Sequence, residues 1–270
     1  MYEEFYGLRE SPFNLTPDPR FIFYSHRHRE AFDHLFYGIT QRKGFIQLTG
    51  EVGAGKTTLC RALLERLGEE FETALVLNPT MTSIQLLRSV LQELGLEARG
   101  NDRIKLMTRL NQHLLEQVAE GRDVVLIIDE AQDLSDTLLE QVRLLSNLET
   151  DQRKLLQIVL MGQPELRSKL EQYRLRQLRQ RITVRYHLDA LTRHETEFYL
   201  QHRLQIAGSS GRPTFSPWAI RSIHRYAGGV PRLINAVADK ALLCGYVESR
   251  DHLGFWQIRR AIRELEGVAS

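Results

Sequence analysis

The chain has 270 residues, enough for about two domains with a sizeable buried core, which excludes a disulfide-stapled miniprotein. Hydrophobic residues at 42% and charged residues at 26% are those of a globular protein and exclude wholesale disorder or a fibrous repeat. The formal net charge is only +2, so no global field draws the molecule to nucleic acid or acidic lipid. The basic residues nevertheless divide as 30 Arg to 6 Lys, and Arg is the side chain suited to bidentate phosphate recognition.

Residues 1–27 carry Tyr2, Phe5, Tyr6, Phe13, Phe21, Phe23 and Tyr24 among Pro12, Pro17 and Pro19. The segment is too aromatic for a disordered tail and too often broken by proline for a helix, so it reads as an irregular cover on the domain that follows. It lacks the basic stretch and apolar core of a secretory leader. The longest wholly apolar run, 124–128, is far short of the ~20 residues that cross a bilayer. Cys60 and Cys244 fall in amphipathic helical patterns and read as small buried apolar residues. A soluble chain in a reducing compartment follows, cytoplasmic or peripheral to the inner membrane.

The helical spacing of Ala31, Phe32, Leu35, Phe36 and Ile39 predicts a helix over 29–40. A short buried strand over 44–49 then runs through glycines into a helix over 57–67. A strand over 73–77, helices over 84–94 and 104–118, and an apolar strand over 123–128 come next. They are followed by a helix over 134–148, a strand over 155–161, a basic helix from 165 to about 180, and a strand over 182–188. Five strands alternating with helical crossovers predict an α/β domain, 28–190, with a parallel sheet covered on both faces. Beyond it the strand pattern stops. Helices over 192–207, 217–226, 231–246 and 255–265 predict a small all-helical lid, 191–270.

Gly50-Glu51-Val52-Gly53-Ala54-Gly55-Lys56-Thr57, continued by Thr58, fits the phosphate-binding pattern G-x-x-x-x-G-K-[ST], placed between a strand and a helix. The glycines let successive N–H groups turn toward a polyphosphate, and the helix N-terminus adds favourable partial charge. Lys56 is expected at the β and γ phosphates of ATP, and the Thr57 hydroxyl at Mg²⁺. The apolar strand over 123–128 delivers Asp129 and Glu130 at its carboxyl end, where open α/β sheets bind ligands. Asp129 is expected to serve the metal and Glu130 to polarise the attacking water. Gln163, ending the next strand, is a candidate to orient that water.

Arg174, Arg176, Arg179, Arg181 and Arg185 form a cluster without an acid between Glu171 and Asp189. Such a cluster suits an arginine finger reaching a neighbouring subunit's nucleotide, with Arg179 or Arg181 best placed, or a nucleic-acid surface; most of the five fit an ordinary solvated face. Pro231 opens a helix with Arg232 in its first turn, where the helix dipole disfavours a cation, so a facing phosphate is the better explanation. His26 and His28 lack the further ligands of a metal site and read as surface histidines beside an adenine pocket.

Together these features resemble the AAA+ ATPases: a phosphate loop, Asp129-Glu130, a polar end to the fourth strand, arginines before the fifth, and Gly-x-Pro-Arg in a helical lid. More narrowly, Met1-Tyr-Glu-Glu-Phe-Tyr-Gly-Leu, Pro12-Phe13, Leu15-Thr-Pro-Asp-Pro19, Asp129-Glu-Ala-Gln132 and Gly162-Gln-Pro-Glu-Leu166 are similar to the GspA/ExeA group of secretion ATPases. The resemblance implies that Lys56 and Thr57 bind nucleotide and Mg²⁺, that Gln163 is a first sensor and Arg232 a second, and that Arg179 or Arg181 is the trans finger. It implies self-association in a ring or partial ring and a membrane-associated secretion or export partner. Gln at the first-sensor position departs from the Asn, Ser or Thr of many members. Some members continue into a membrane span and a cell-wall-binding domain. Neither is in these 270 residues, which implies a piece of such a protein or a short relative. A DNA-binding regulator of the transposition-targeting type is the second choice, and a nucleotide switch with little turnover the third. A helicase would need a second sheet domain where the pattern here is helical.

Overall fold

Apolar periodicity and terminating glycines divide the chain into elements, which the computed structural model describes over residues 1–77, 80–150 and 153–267. In chain order they are α1 (Tyr2–Tyr6), α2 (His26–Thr40), β1 (Phe45–Gly50), α3 (Lys56–Leu67), β2 (Phe71–Val76), α4 (Ser83–Glu93) and α5 (Arg103–Ala119). Next come β3 (Asp123–Ile128), α6 (Asp136–Leu145), β4 (Leu156–Gly162), α7 (Pro164–Leu170), α8 (Arg176–Arg181) and β5 (Ile182–Leu188). The remainder is α9 (Arg193–Ile206), β6 (Thr214–Phe215), α10 (Pro217–Ala227), α11 (Pro231–Val247), β7 (His252–Leu253) and α12 (Phe255–Leu265). Two compact units result. One comprises Arg29–Gly50 and Cys60–Leu188; the other comprises Met1–His28, Glu51–Leu59 and Asp189–Ser270, of which 268–270 lie outside the described residues.

The first of these contains the five-stranded sheet, ordered β2-β3-β4-β1-β5 with every pairing parallel. β3 and β4 are buried along their whole length, which is why 124–128 reads as a continuous apolar run rather than an alternating one. β5 is an edge strand and alternates buried with exposed positions. All strands run the same way, so β1, β3 and β4 end at one edge, with Thr49 paired to Gly162 and Ile128 to Leu160.

The continuous basic helix expected from 165 to about 180 is corrected: α7 stops at Leu170, a 3-10 turn spans Tyr173–Leu175, and α8 begins at Arg176. Leu166, Leu170, Leu175 and Leu178 are all buried in the core of this unit. At about 100° per residue an unbroken helix would turn the last two away from the first two, and the interruption brings both pairs inward.

The second unit gathers α9–α12, and here two expectations change. The lid is not wholly helical, because β6 and β7 form a two-residue parallel ladder, Thr214 with His252 and Phe215 with Leu253. The aromatic N-terminal segment, expected to cover the sheet domain, is buried with these helices instead: Tyr6, Leu8, Phe13 and Phe21 share a core with Leu200, Ile223, Val237 and Leu242. The Tyr6 hydroxyl shares its one proton between the carbonyls of Leu242 at 3.2 Å and Arg250 at 3.1 Å, and Tyr2 donates to Asp239 at 2.5 Å. Arg203, itself buried, donates to the Pro12 carbonyl and stacks on Phe21 at 4.6 Å. The helices leave apolar surface that needs a cover, and the aromatic segment supplies it. Residues 2–6 precede the first proline, so one helical stretch forms there and ends at Gly7 with φ 70°.

Truncating Tyr6 to Ala removes a fully buried aromatic together with its shared hydrogen bond. The expected cost is about 3–5 kcal/mol in chemical denaturation, carried by the unit holding α9–α12, whereas Tyr2→Phe costs about 1 kcal/mol.

Candidate functional site

The phosphate-type loop belongs to the unit that holds the lid helices. Gly53 and Gly55 adopt φ of 80° and 98°, values open to glycine, and they curl the backbone between β1 and α3. The Ala54 amide donates to the Glu51 carbonyl at 3.1 Å, and the same carbonyl receives Lys56 Nζ at 3.0 Å, so the lysine folds back over the loop while remaining 95% shielded at 5% exposure. Glu51 and Val52 are exposed, Ala54 is buried, and Thr57 and Thr58 are half-buried in the first turn of α3, whose N–H groups point along its axis toward the loop.

Two contacts hold the loop from outside. The Arg232 amide, in the first turn of α11, donates to the Gly53 carbonyl at 3.3 Å, and a Cβ at residue 53 would lie 2.4 Å from that of Arg232. His28 Nε2 lies 3.1 Å from the Ala54 carbonyl and Nδ1 lies 2.8 Å from Ser25 Oγ. A carbonyl only accepts, so Nε2 carries the proton and Nδ1 accepts from the serine. His28 is therefore not a surface residue; it is 5% exposed, and burial pushes its pKa below the ordinary value, opposed by the Ala54 carbonyl. Sequence reasoning placed His28 near the nucleotide but missed this tie, for which the only signal was the spacing of Ser25 and His28. A trans peptide points its C=O and the next N–H in opposite directions, so fixing the Ala54 carbonyl on His28 turns the Gly55 amide the other way.

The carboxylates belong to the sheet unit. Asp129 follows the last residue of β3 and is 3% exposed, its Oδ1 accepting the Glu130 amide at 2.9 Å. Glu130 sits at φ 51°, ψ 39°, a left-handed conformation costing a non-glycine residue about 1–2 kcal/mol. Its Oε2 accepts from Gln132 Nε2 at 2.8 Å and Gln163 Nε2 at 3.2 Å. Gln132 Oε1 in turn accepts the Gln163 backbone amide at 3.0 Å, which joins the ends of β3 and β4. A Cβ at Gly162 would lie 2.6 Å from Gln132 Oε1, so the glycine makes room for this bridge. Lys169 completes it by donating to the Gln132 carbonyl at 2.9 Å. Gln132 was visible as part of a motif but not as a partner of Glu130. Next along, Cys60 is buried and burial pushes its thiol up to about 12, so it is an inert apolar residue.

The five arginines separate. Arg174 pairs with Asp136, Arg176 stacks on Tyr173 at 4.8 Å, and Arg181 Nη1 donates to Ser146 Oγ at 2.7 Å and Asn147 Oδ1 at 2.5 Å beside the C-terminus of α6. Arg181 is thus committed to holding a helix end. Arg179 is exposed.

Gly53→Ala forces a side chain into a positive φ and against Arg232, and is expected to lower stability by about 1–3 kcal/mol in chemical denaturation. Because His28 is held neutral, the folded protein binds its proton less readily than the unfolded chain. This contribution to stability is full above about pH 6.5 and is lost as pH falls through the lower folded value. The melting temperature is expected to drop with acidification below about pH 6.5, and His28→Gln to flatten that drop, leaving the slope from His202 and His224, both lowered by burial as well.

Residues 39–170 match the family model of the AAA domain. Over 269 residues, 99% of this chain, the sequence is 46% identical to General secretion pathway protein A of Aeromonas hydrophila, and the chain spans about half that relative's length, 49%. Among solved structures, the ORC2 protein of Aeropyrum pernix in its ADPNP–ADP complexes gives a TM-score of 0.71 at 19% identity, over 95% of this chain and 72% of that one. Cdc6p of Pyrobaculum aerophilum gives 0.70 at 17%, over 92% and 71%. Those two likenesses concern the fold. With the parallel five-stranded sheet and the C-terminal helices, the chain has the AAA+ fold, and over 99% of its own length it is similar to the GspA/ExeA group.

Proposed function

We propose that the protein is an Mg²⁺-dependent ATPase that works between subunits of its own kind and drives assembly or remodelling of an envelope secretion or export system. The observation that carries the hydrolytic part is the Glu130 carboxylate, gripped by two glutamine amides at the end of a wholly buried strand, at the sheet edge where β1 ends in Gly50. A carboxylate held so, in a backbone conformation that itself costs energy, suits a general base for water. Residues 50–58 would hold the ATP phosphates, with Lys56 opposing the β and γ charges and Arg232 acting from the lid. Thr57 and Asp129 offer oxygen donors, the set a hard divalent cation takes, and bound Mg²⁺ would neutralise charge developing on the phosphates. Gln163, through its amide on Glu130, would orient the base.

Arg179 is the preferred finger, because Arg181 is already occupied by Ser146 and Asn147. The assignment to secretion rests on the name of the Aeromonas relative, about half of which the chain matches over 269 residues at 46% identity. Among the described residues no helix is long and apolar enough to cross a membrane, so the link to the envelope would run through a partner or through chain outside these 270 residues. The DNA-binding alternative has less support, since three of the five arginines it would use, Arg174, Arg176 and Arg181, already have partners in their own chain.

Mixing variants tests the scheme. Glu130→Gln should bind ATP and turn over about 100-fold or more slowly, and Arg179→Ala should be similarly impaired. Combined, they should recover activity, because the first supplies a finger to the intact carboxylate of the second. Steady-state turnover with each variant at wild-type level, or flat across protein dilution, sinks the proposal.

A further inference from the structure

Gln47 occupies a position where the interior strand β1 should be apolar. Its chain neighbours Ile46 and Leu48 are fully buried, and Gln47 itself is 5% exposed. A buried amide in a sheet normally has a partner, as Gln157 of β4 does in accepting the Gly44 amide at 2.7 Å. Among the described residues no such partner falls to the Gln47 side chain, which faces a cavity of about 370 Å³ between β1, β5 and the α7–α8 segment. Next to it the Thr49 hydroxyl, 2% exposed, lies 3.0 Å from His187 Nδ1 on the same wall.

The mouth of this cavity is cationic. Arg167, Arg179 and Arg185 line it, and the one carboxylate on its wall, Glu171, lies 3.5 Å from Arg167, so three guanidiniums face a single countercharge. Arg185 is drawn toward Arg179 by donating to that residue's carbonyl at 2.5 Å. Guanidiniums held together with so little compensation suit the equatorial oxygens of a phosphate, which accept their paired N–H groups. The amide and hydroxyl deeper in suit a polar body attached to that phosphate. The volume is that of a small-ligand cavity.

We propose that this cavity is a second anion site, taking a small phosphorylated molecule on the guanidiniums of Arg167, Arg179 and Arg185 with Gln47 at its floor. No residue of the 50–58 loop and neither Asp129 nor Glu130 lines it. Arg179 belongs to its wall, so occupancy would draw that side chain back to its own subunit and slow turnover; this consequence rests on the finger reading, while the site does not.

The test uses inorganic pyrophosphate as the probe and the 270-residue chain carrying Lys56→Ala, which removes the loop lysine. Calorimetry should detect one remaining site, weakened about tenfold or more by a further Gln47→Leu and likewise by a further Arg185→Gln. Gln47→Leu should leave the melting temperature unchanged or raise it, because leucine of similar volume removes an amide that lacks a protein partner. Absence of pyrophosphate binding in Lys56→Ala, or binding within about twofold of that level in both further variants, would overturn the proposal. Displacement of pyrophosphate by a short DNA duplex at equal phosphate concentration would overturn the assignment to a small molecule. If Gln47→Leu proves misfolded, the surface variant Arg185→Gln decides alone. ATP hydrolysis is not read in any arm, so failure here is distinct from failure of the ATPase assignment.

Discussion

The contact on which the rest depends is the seat of α11 on the glycine loop. Where Arg232 meets Gly53 the two backbones are joined by an amide-to-carbonyl bond, and the space beside Gly53 has no room even for a methyl group. A loop with two positive-φ glycines is intrinsically loose, because glycine loses more conformational freedom on ordering than any other residue. Arg232 on one side and His28 on the next carbonyl take up that freedom from outside. The loop is consequently part of the same compact unit as the lid helices and the N-terminal segment, although in the sequence it follows directly from a strand of the sheet.

A different economy governs the carboxylates. Asp129 is nearly fully buried and spends one oxygen on the neighbouring amide, which stiffens the turn, while Glu130 is placed by an unfavourable backbone conformation and then fixed by two neutral amide donors. Neutral donors orient a carboxylate without cancelling its charge, as an arginine or lysine in the same place would. Gln132 also carries the tie across to β4 through the Gln163 amide, so a shift in either strand end would be felt at the carboxylate. Lys169 grips only the backbone of this turn, keeping its charge one step away.

Arginine abundance, in turn, has several structural explanations within one short stretch. Arg174 balances Asp136, Arg176 lies on an aromatic face, and Arg181 closes the end of α6, three uses that a cluster in sequence does not distinguish. Arg179 and Arg185 are left around the polar cavity beside β1, where Gln47 also faces. The interruption between α7 and α8 contributes to this arrangement for Arg174 and Arg176, which lie between the buried leucines, whereas Arg179 and Arg181 follow on α8 and Arg185 on β5.

Local chemistry made most of the architecture legible. Strand and helix periods, the glycine-lysine loop and the acidic pair after an apolar strand depend on neighbours within a turn or two, and those neighbours are adjacent in the chain. The AAA domain and the five parallel strands follow from them. Contacts at long separation were invisible by the same token: Tyr6 against Leu242, His28 against Ala54, Gln132 against Gln163, and Arg181 against Ser146. A polar side chain carries no mark of which distant carbonyl or amide will satisfy it, and an aromatic segment no mark of which apolar face it will cover. Residue type and spacing settle what each group can do, whereas packing in three dimensions, where every buried donor must find an acceptor, selects which of those things it does.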